Sequence, residues 1–170
     1  MKILDATAGA RSIWYQKNHP FVTFMDSRSE KINTLQNGNA LVCKRTWNIN
    51  PDVVSDWRDC PFPDNYFDMI VFDPPHIIDK KKTKPSILKK KYGYFLESNY
   101  KSIIRDGVKE LFRVLKPEGT FIFKWCESSK KVDEILDLFP YKPLFGTRTG
   151  TKNHNHWIIF IKHKFEKELC

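Results

Sequence analysis

The heptapeptide FDMIVFD, residues 67 to 73, is apolar on both faces at its centre. A strand of that kind belongs inside a sheet covered on both sides, which is the setting of parallel strands in α/β folds. Its neighbours fit the same frame. KIL (2–4) and VTFMDSR (22–28) are further apolar runs followed by acids, and DVVSDWRD (52–59) is a third strand candidate that leads into the proline-rich turn PFPDNY. TFIFKW, KPLFGTR and HWIIFIKH supply the remaining strands.

Between these strands the spacing predicts helices. One begins near Ser12, and one covers SEKINTLQNG on Ile32 and Leu35 with Gly38 as its stop. A longer one over NYKSIIRDGVKELFRVLKPEG aligns Ile103, Ile104, Val108, Leu111, Phe112 and Leu115 and ends at Pro117 and Gly119; KKVDEILDLF is the last. The alternation argues for an open, doubly wound α/β sheet, mostly parallel, with helices on both faces. Only TGTKNHN separates the last two strands, which suits a hairpin, so the final strand is expected to run antiparallel.

A chain of 170 residues is expected to form a single domain spanning 1–170. No run approaches the ~18 apolar residues of a membrane span, and the opening MKILDATAGA is too weakly apolar for a signal peptide. A cytoplasmic protein with no membrane partner is the expectation. Cys43, Cys60, Cys126 and Cys170 form no C-x-x-C pair, no histidine completes a zinc pattern, and no metal is assigned. The formal charge of +9 favours an anionic partner, nucleic acid first.

In sheets of this kind ligands bind beyond the carboxyl ends of the strands. Asp5, Asp26, Asp56 and Asp73 all fall there. A single acid in that place commonly caps the next helix; four in succession mark a site. DATAG (5–9) is a small-residue turn that lets a ligand approach backbone N–H groups. Asp26 sits where an acid accepts from ribose hydroxyls, and Asp56 is placed to accept from an adenine amine, with Trp57 either stacking beside it or filling the core.

With these stretches in place, the chain resembles the class I S-adenosylmethionine-dependent methyltransferases over nearly its whole length. SDWRDCPFPDNYFDMIVFDPP resembles the family's third and fourth motifs, and LFRVLKPEGTFIF the helix-turn-strand before its last helix. DATAGARS departs from the glycine-rich pattern by placing Arg11 where a glycine is usual. The resemblance implies a Rossmann-like seven-stranded sheet and S-adenosyl-L-methionine as cofactor. It also implies that Asp5 and the backbone of Ala6, Thr7, Ala8 and Gly9 hold the methionine part, with Arg11 at its carboxylate. Asp26 and Ser27 would take the ribose, Asp56 and Trp57 the adenine, and Asp73 would close the site.

DPPH, residues 73 to 76, is similar to the signature of family members that methylate exocyclic or amide nitrogens, in which Asp or Asn precedes two prolines and an aromatic residue. The physical case stands beside the name. An exocyclic amine is a poor nucleophile because its lone pair is delocalised into the ring, so a site must orient it and favour tetrahedral character at nitrogen. Asp73 accepts one N–H and is the route for the departing proton. The Pro74 carbonyl, free of competition because Pro75 has no N–H, accepts the other. His76 replaces the usual aromatic; it is expected to stack on the base or donate to a ring nitrogen.

The field that follows holds Lys80, Lys81, Lys82, Lys84, Lys89, Lys90 and Lys91, then Tyr92, Tyr94 and Phe95. Charge runs are commonly just solvated loops, yet lysines interleaved with aromatics beside a catalytic turn suit phosphate neutralisation and base stacking. Residues 77–98 are therefore expected to form a basic substrate loop, mobile without substrate and closing over it. TRTGTKNHNHW adds Arg148 to the substrate side, with Lys152, His154 and His156 facing solvent or substrate.

Together these readings describe an N-methyltransferase for the exocyclic amine of a nucleic-acid base. RNA is favoured slightly over DNA because the chain has no separate target-recognition domain, and a homodimer or a partner subunit is a further way to supply specificity. Methylation of a protein glutamine or a small molecule, and a nucleic-acid-binding relative without catalysis, are the alternatives.

Overall fold

The computed structural model describes residues 1–34, 45–82, 86–149 and 155–163. In chain order the elements are β1 (Ile3–Asp5), β2 (Val22–Asp26), β3 (Glu30–Thr34), β4 (Arg45–Ile49), β5 (Val53–Val54), β6 (Phe67–Phe72), β7 (Ile78–Asp79), α1 (Ile87–Tyr92), β8 (Phe95–Leu96), α2 (Tyr100–Val114), β9 (Leu115–Cys126), α3 (Val132–Leu136), β10 (Phe145–Thr149) and β11 (Asn155–Ile161).

Seven strands form one sheet in the order β10-β11-β9-β6-β1-β2-β5. β5, β2, β1, β6 and β9 are mutually parallel, whereas β11 is antiparallel to both β9 and β10. The central β6 pairs with β1 on one side and β9 on the other, which explains why FDMIVFD is apolar on both faces.

Strand alternation divides the core into two layers. Leu4, Met25, Ile70, Phe72, Phe121, Phe123, Ile158 and Phe160 form one buried cluster with Ile104, Val108, Leu111 and Phe112 of α2 and Val132 and Ile135 of α3. On the opposite face Ile3, Val22 and Phe24 pack with Ala8, against Trp14 and Met69. That smaller layer is covered by the segment between β1 and β2, where the helix expected near Ser12 does not form. Arg11 adopts a left-handed backbone (φ 54°) and Trp14 N–H bonds back to its carbonyl in a tight turn. The Trp14 ring lies edge-on to Phe24, filling the layer with one aromatic in place of a helix.

A second expected helix, over SEKINTLQNG, is also replaced. Its first half is β3, which pairs with β4 in an antiparallel hairpin with Ile32 opposite Trp47; Leu35 and Gly38 lie outside the described residues. Lys31, Ile32 and Asn33 alternate exposed, buried, exposed, a period of two that a pair of apolar residues three apart did not reveal. The 52–59 strand shortens to Val53–Val54, and the remainder turns at Asp56. The last expected helix shortens to Val132–Leu136.

α2 comes closest to Trp57 at Gly107. A Cβ built there would stand 1.7 Å from Cζ3 of Trp57, so the indole occupies the space a side chain needs. In an exposed helix Gly→Ala gains roughly 1 kcal/mol. Here overpacking outweighs that gain, and Gly107→Ala is expected to destabilise by roughly 1–3 kcal/mol, read as a lower urea midpoint.

Candidate active site

A cavity of about 520 Å³ opens beyond the carboxyl ends of the parallel strands, where β1 separates β2 from β6. Its volume is in the range of small-molecule sites, about 300–1,000 Å³. It is lined by 6–10, 26–28, 56–58, 73–76 and 91–95, with Ile103, Lys124, Cys126 and Asn155. Each expected strand-end motif thus contributes to the lining, but Asp5 itself stands behind it, buried.

Asp73 follows β6 directly. Its backbone N–H donates to Thr7 Oγ1 (2.8 Å), which ties this turn to the turn after β1. Its Oδ1 lies 2.9 Å from His76 Nε2, and its Oδ2 accepts from Lys124 Nζ at 2.8 Å. Burial opposes its charge, but the His76 contact and the Lys124 ammonium outweigh burial and hold the carboxyl below its ordinary range. Pro74 is buried, and among the described residues its carbonyl receives no hydrogen bond. Gly93 (φ 79°) comes so close to Pro75 that a Cβ would stand 3.0 Å from the ring, fixing the second proline from above.

His76 has a more committed place than the sequence suggests. Its Nε2 is engaged with Asp73, its ring is edge-on to Trp125 (5.1 Å, 85°), and Ser128 Oγ donates to its carbonyl. The ring, expected to stack on a base or donate to a ring nitrogen, lines the cavity with its Nε2 at the carboxylate.

Asp5 is buried, accepting from Trp14 Nε1 (2.6 Å) and Thr7 N–H (3.1 Å). Burial pushes its carboxyl up to about 7 despite both bonds. Asp26 accepts from Gly9 N–H (2.9 Å) and from the backbone N–H and Nε of Arg28 (3.0 and 3.1 Å). Asp56 makes a paired contact with Arg58, whose hydrogen bonds keep the carboxyl below its usual range. Trp57 reaches the cavity wall but is 9% exposed, set edge-on to Phe72 and Phe95. Of its two sequence readings, the structure gives it the core position.

Arg11 does not line the cavity. Its guanidinium donates to the carbonyls of Lys17 and Asn50 and to the side chains of Asn18 and Asp52, and it stacks on Phe24. It fastens the loop after β1 to the strand-exit at 50–52.

Residues 77–98, expected as a loop, carry structure of their own. β7 pairs with β8, α1 stands between them, and Lys89 pairs with Asp79. Arg28 Nη1 donates to the carbonyls of Lys90 (3.0 Å) and Lys91 (3.3 Å), so the guanidinium sits at the carboxyl end of α1, where positive charge is favoured. Lys91, Tyr92 and Tyr94 line the cavity; Lys80, Lys81, Lys82 and Lys90 are exposed and stand off it. Lys84, Lys152 and His154 lie outside the described residues, as do Cys43 and Cys170, and for Arg148 only the backbone, in β10, is described. His156, expected at solvent or substrate, is buried, with Nε2 3.4 Å from Glu127. The β11 register turns it to the same side as Ile158 and Phe160, into the core.

Among the cavity residues that escaped the sequence reading, two bear directly on the site's acids. Lys124 is the polar residue of TFIFKW, one step past Phe123, the register partner of Phe72. Arg28 belongs to a spacing that occurs twice: Asp26-Ser27-Arg28 and Asp56-Trp57-Arg58 each fold an arginine back onto the acid two residues earlier. Asp-x-Arg at successive strand ends was the available signal.

No protein-family model and no curated protein matches the sequence. Solved structures do share the fold. A SAM-dependent methyltransferase from Methanosarcina mazei is 14% identical over 95% of this chain and 92% of that one, with a TM-score of 0.53. The YcgJ protein from Bacillus subtilis is 16% identical over 96% and 92%, with a TM-score of 0.54. Burkholderia thailandensis 1,6-didemethyltoxoflavin-N1-methyltransferase, solved with its didemethyltoxoflavin and S-adenosylhomocysteine, is 14% identical over 95% and 70%, with a TM-score of 0.53. The chain therefore has the Rossmann-like, seven-stranded fold of S-adenosylmethionine-dependent methyltransferases.

Proposed function

We propose that this chain is an S-adenosylmethionine-dependent N-methyltransferase acting on the exocyclic amine of a nucleic-acid base, RNA ahead of DNA. The observation that carries the reading is the Asp73-Pro74-Pro75 turn lining one cavity with the 6–9 turn and the acids of β2 and the 56–58 turn. When bound, the cofactor supplies a methyl group on a sulfonium centre. The residues present fit its shape: Ala6 to Gly9 line the cavity with small side chains while their N–H groups bond within the fold, to the carbonyls of Val71 and Met25 and to Asp5 and Asp26, and Asp26 and Asp56 line it from the ends of β2 and β5. The acceptor sites of Asp26 are taken by Gly9 and Arg28, so a ribose hydroxyl reaches it by replacing an Arg28 contact.

Asp73 accepts one N–H of the amine and takes the proton that nitrogen releases; the Pro74 carbonyl accepts the other and draws the nitrogen toward tetrahedral geometry. Tyr92 and Tyr94 offer faces for a base, and the exposed lysines 80 to 82 lead away from the cavity as phosphate contacts. The deciding experiment is calorimetric titration with S-adenosylmethionine and S-adenosylhomocysteine beside tritium transfer to total RNA and genomic DNA. Cofactor binding with label in a polymer is the expected result; label confined to protein or small molecules overturns the substrate class.

The charge reading has its own check. Binding of a single-stranded RNA oligonucleotide is expected to weaken with salt at a slope of about −0.7 per phosphate contact, and changing Lys80, Lys81 and Lys82 to Ala is expected to flatten that slope by up to ~2. An unchanged slope would show that these lysines merely solvate the surface.

A further inference from the structure

We propose that Lys124 is a specificity-determining residue, which with Asp73 forms a donor–acceptor pair that reads the Watson–Crick edge of adenine or cytosine at the methyl-accepting position. The inference rests on the nucleobase reading above and narrows it. Phe72 and Phe123 are partners in the parallel β6–β9 register, so the residues that follow them, Asp73 and Lys124, lie abreast at the mouth of the sheet. Nζ of Lys124 is 2.8 Å from Oδ2 of Asp73, and both side chains line the cavity at about a fifth exposed, 21% and 18%. An ammonium has three donors. One goes to Asp73 and the Trp157 ring flanks the charge at 5.9 Å, which leaves donor capacity for a molecule in the cavity.

A carboxylate accepts and an ammonium donates. Two such groups side by side match a ligand that carries an N–H and a lone pair on two atoms bonded to the same carbon. Adenine presents that edge with its N6 amine beside N1, and cytosine with its N4 amine beside N3. On its Watson–Crick edge guanine does not, because there the N2 amine adjoins the N1–H, a donor that would face the ammonium; guanine has the pattern only on its other side, at N2 and N3. A simple amine offers the N–H without the neighbouring lone pair; a primary carboxamide offers both, and label in protein is the outcome that would identify it. His76 completes the arrangement from the far side of the carboxylate, holding Oδ1 so that Oδ2 stays turned to Lys124.

The test begins with the methylated polymer, digested to nucleosides and read by mass spectrometry. N6-methyladenine or N4-methylcytosine is expected, and N2-methylguanine overturns the proposal. A second arm measures equilibrium binding, with S-adenosylhomocysteine present, of a short oligonucleotide carrying the acceptor base or its analogue with C–H in place of the ring nitrogen, 1-deazaadenine or 3-deazacytosine. The wild type is expected to lose roughly 10-fold or more in affinity for the analogue. Lys124→Leu is expected to bind both oligonucleotides alike, and Lys124→Arg to recover part of the difference. Equal losses in wild type and Lys124→Leu, with calorimetry showing cofactor affinity intact in both, overturn the assignment of Lys124 alone. Absence of label from both polymers brings down the nucleobase reading itself, and this inference with it.

Discussion

Asp73→Ala is expected to bind S-adenosylhomocysteine as the wild type does and to transfer methyl groups at least ~100-fold more slowly. The Asp73 backbone N–H donates to Thr7, and the carboxylate is held by His76 in the same turn and by Lys124 from β9, so its position is set by the sheet and not by a flexible loop. Its loss removes the acceptor that orients the amine and the route for the proton, while the 6–9 turn, Asp26 and Asp56 remain on their own strand ends. The substitution also leaves Lys124 and His76 without a shared partner. Asp73→Asn is the companion variant, because an amide keeps the volume and one acceptor oxygen; it is expected to recover part of the rate. Undiminished turnover in Asp73→Ala would remove nitrogen activation through this carboxylate. A chain that only binds nucleic acid would show no turnover in either protein and an unchanged RNA affinity.

What the sequence made legible follows from how strongly each residue is tied to its own neighbours. β6 could be read from seven consecutive letters because burial on both faces leaves no polar alternative, and α2 because Ile104, Val108, Leu111 and Phe112 repeat at helical spacing. The turn at Asp73 was visible because proline pairs restrict the backbone locally. What stayed hidden depended on distant partners. Trp14 covers a sheet face only because Phe24, ten residues on, lies beneath it. Ile32 reads as helix or strand until Trp47 is placed opposite. Arg11 looked like a cofactor contact from its place in DATAGARS, and two of its four acceptors, Asn50 and Asp52, come from about forty residues away. Lys124 needed the β6–β9 register to bring it to Asp73. The lysine field hid a helix because its capping groups, Ser86 and Gly93, enclose only six residues, too few for a periodic signal.

Stability is expected to fall as pH rises from 5 to 8, and Asp5→Asn is expected to remove much of that fall. The folded chain keeps the Asp5 proton up to about pH 7, because burial opposes the charge and Asp73 and Asp26 add to it, whereas the unfolded carboxyl loses its proton near 3.8. Between those values the folded state binds more protons, so stability from this group decreases with pH and the full cost is present only above 7. Over the span from pH 5 to pH 8 the change is roughly 2–3 kcal/mol. Asparagine removes the charge but has one acceptor oxygen for two donors, Trp14 Nε1 and the Thr7 N–H, which costs about 1 kcal/mol at every pH. The two effects separate in the data: urea midpoints of wild type and variant should lie close at pH 5 and diverge at pH 8 in favour of the variant. Parallel curves would mean that Asp5 is ionised in the folded chain, held so by Trp14 and Thr7. The base of the β1 turn would then carry a buried negative charge at neutral pH, stabilised by those two donors alone.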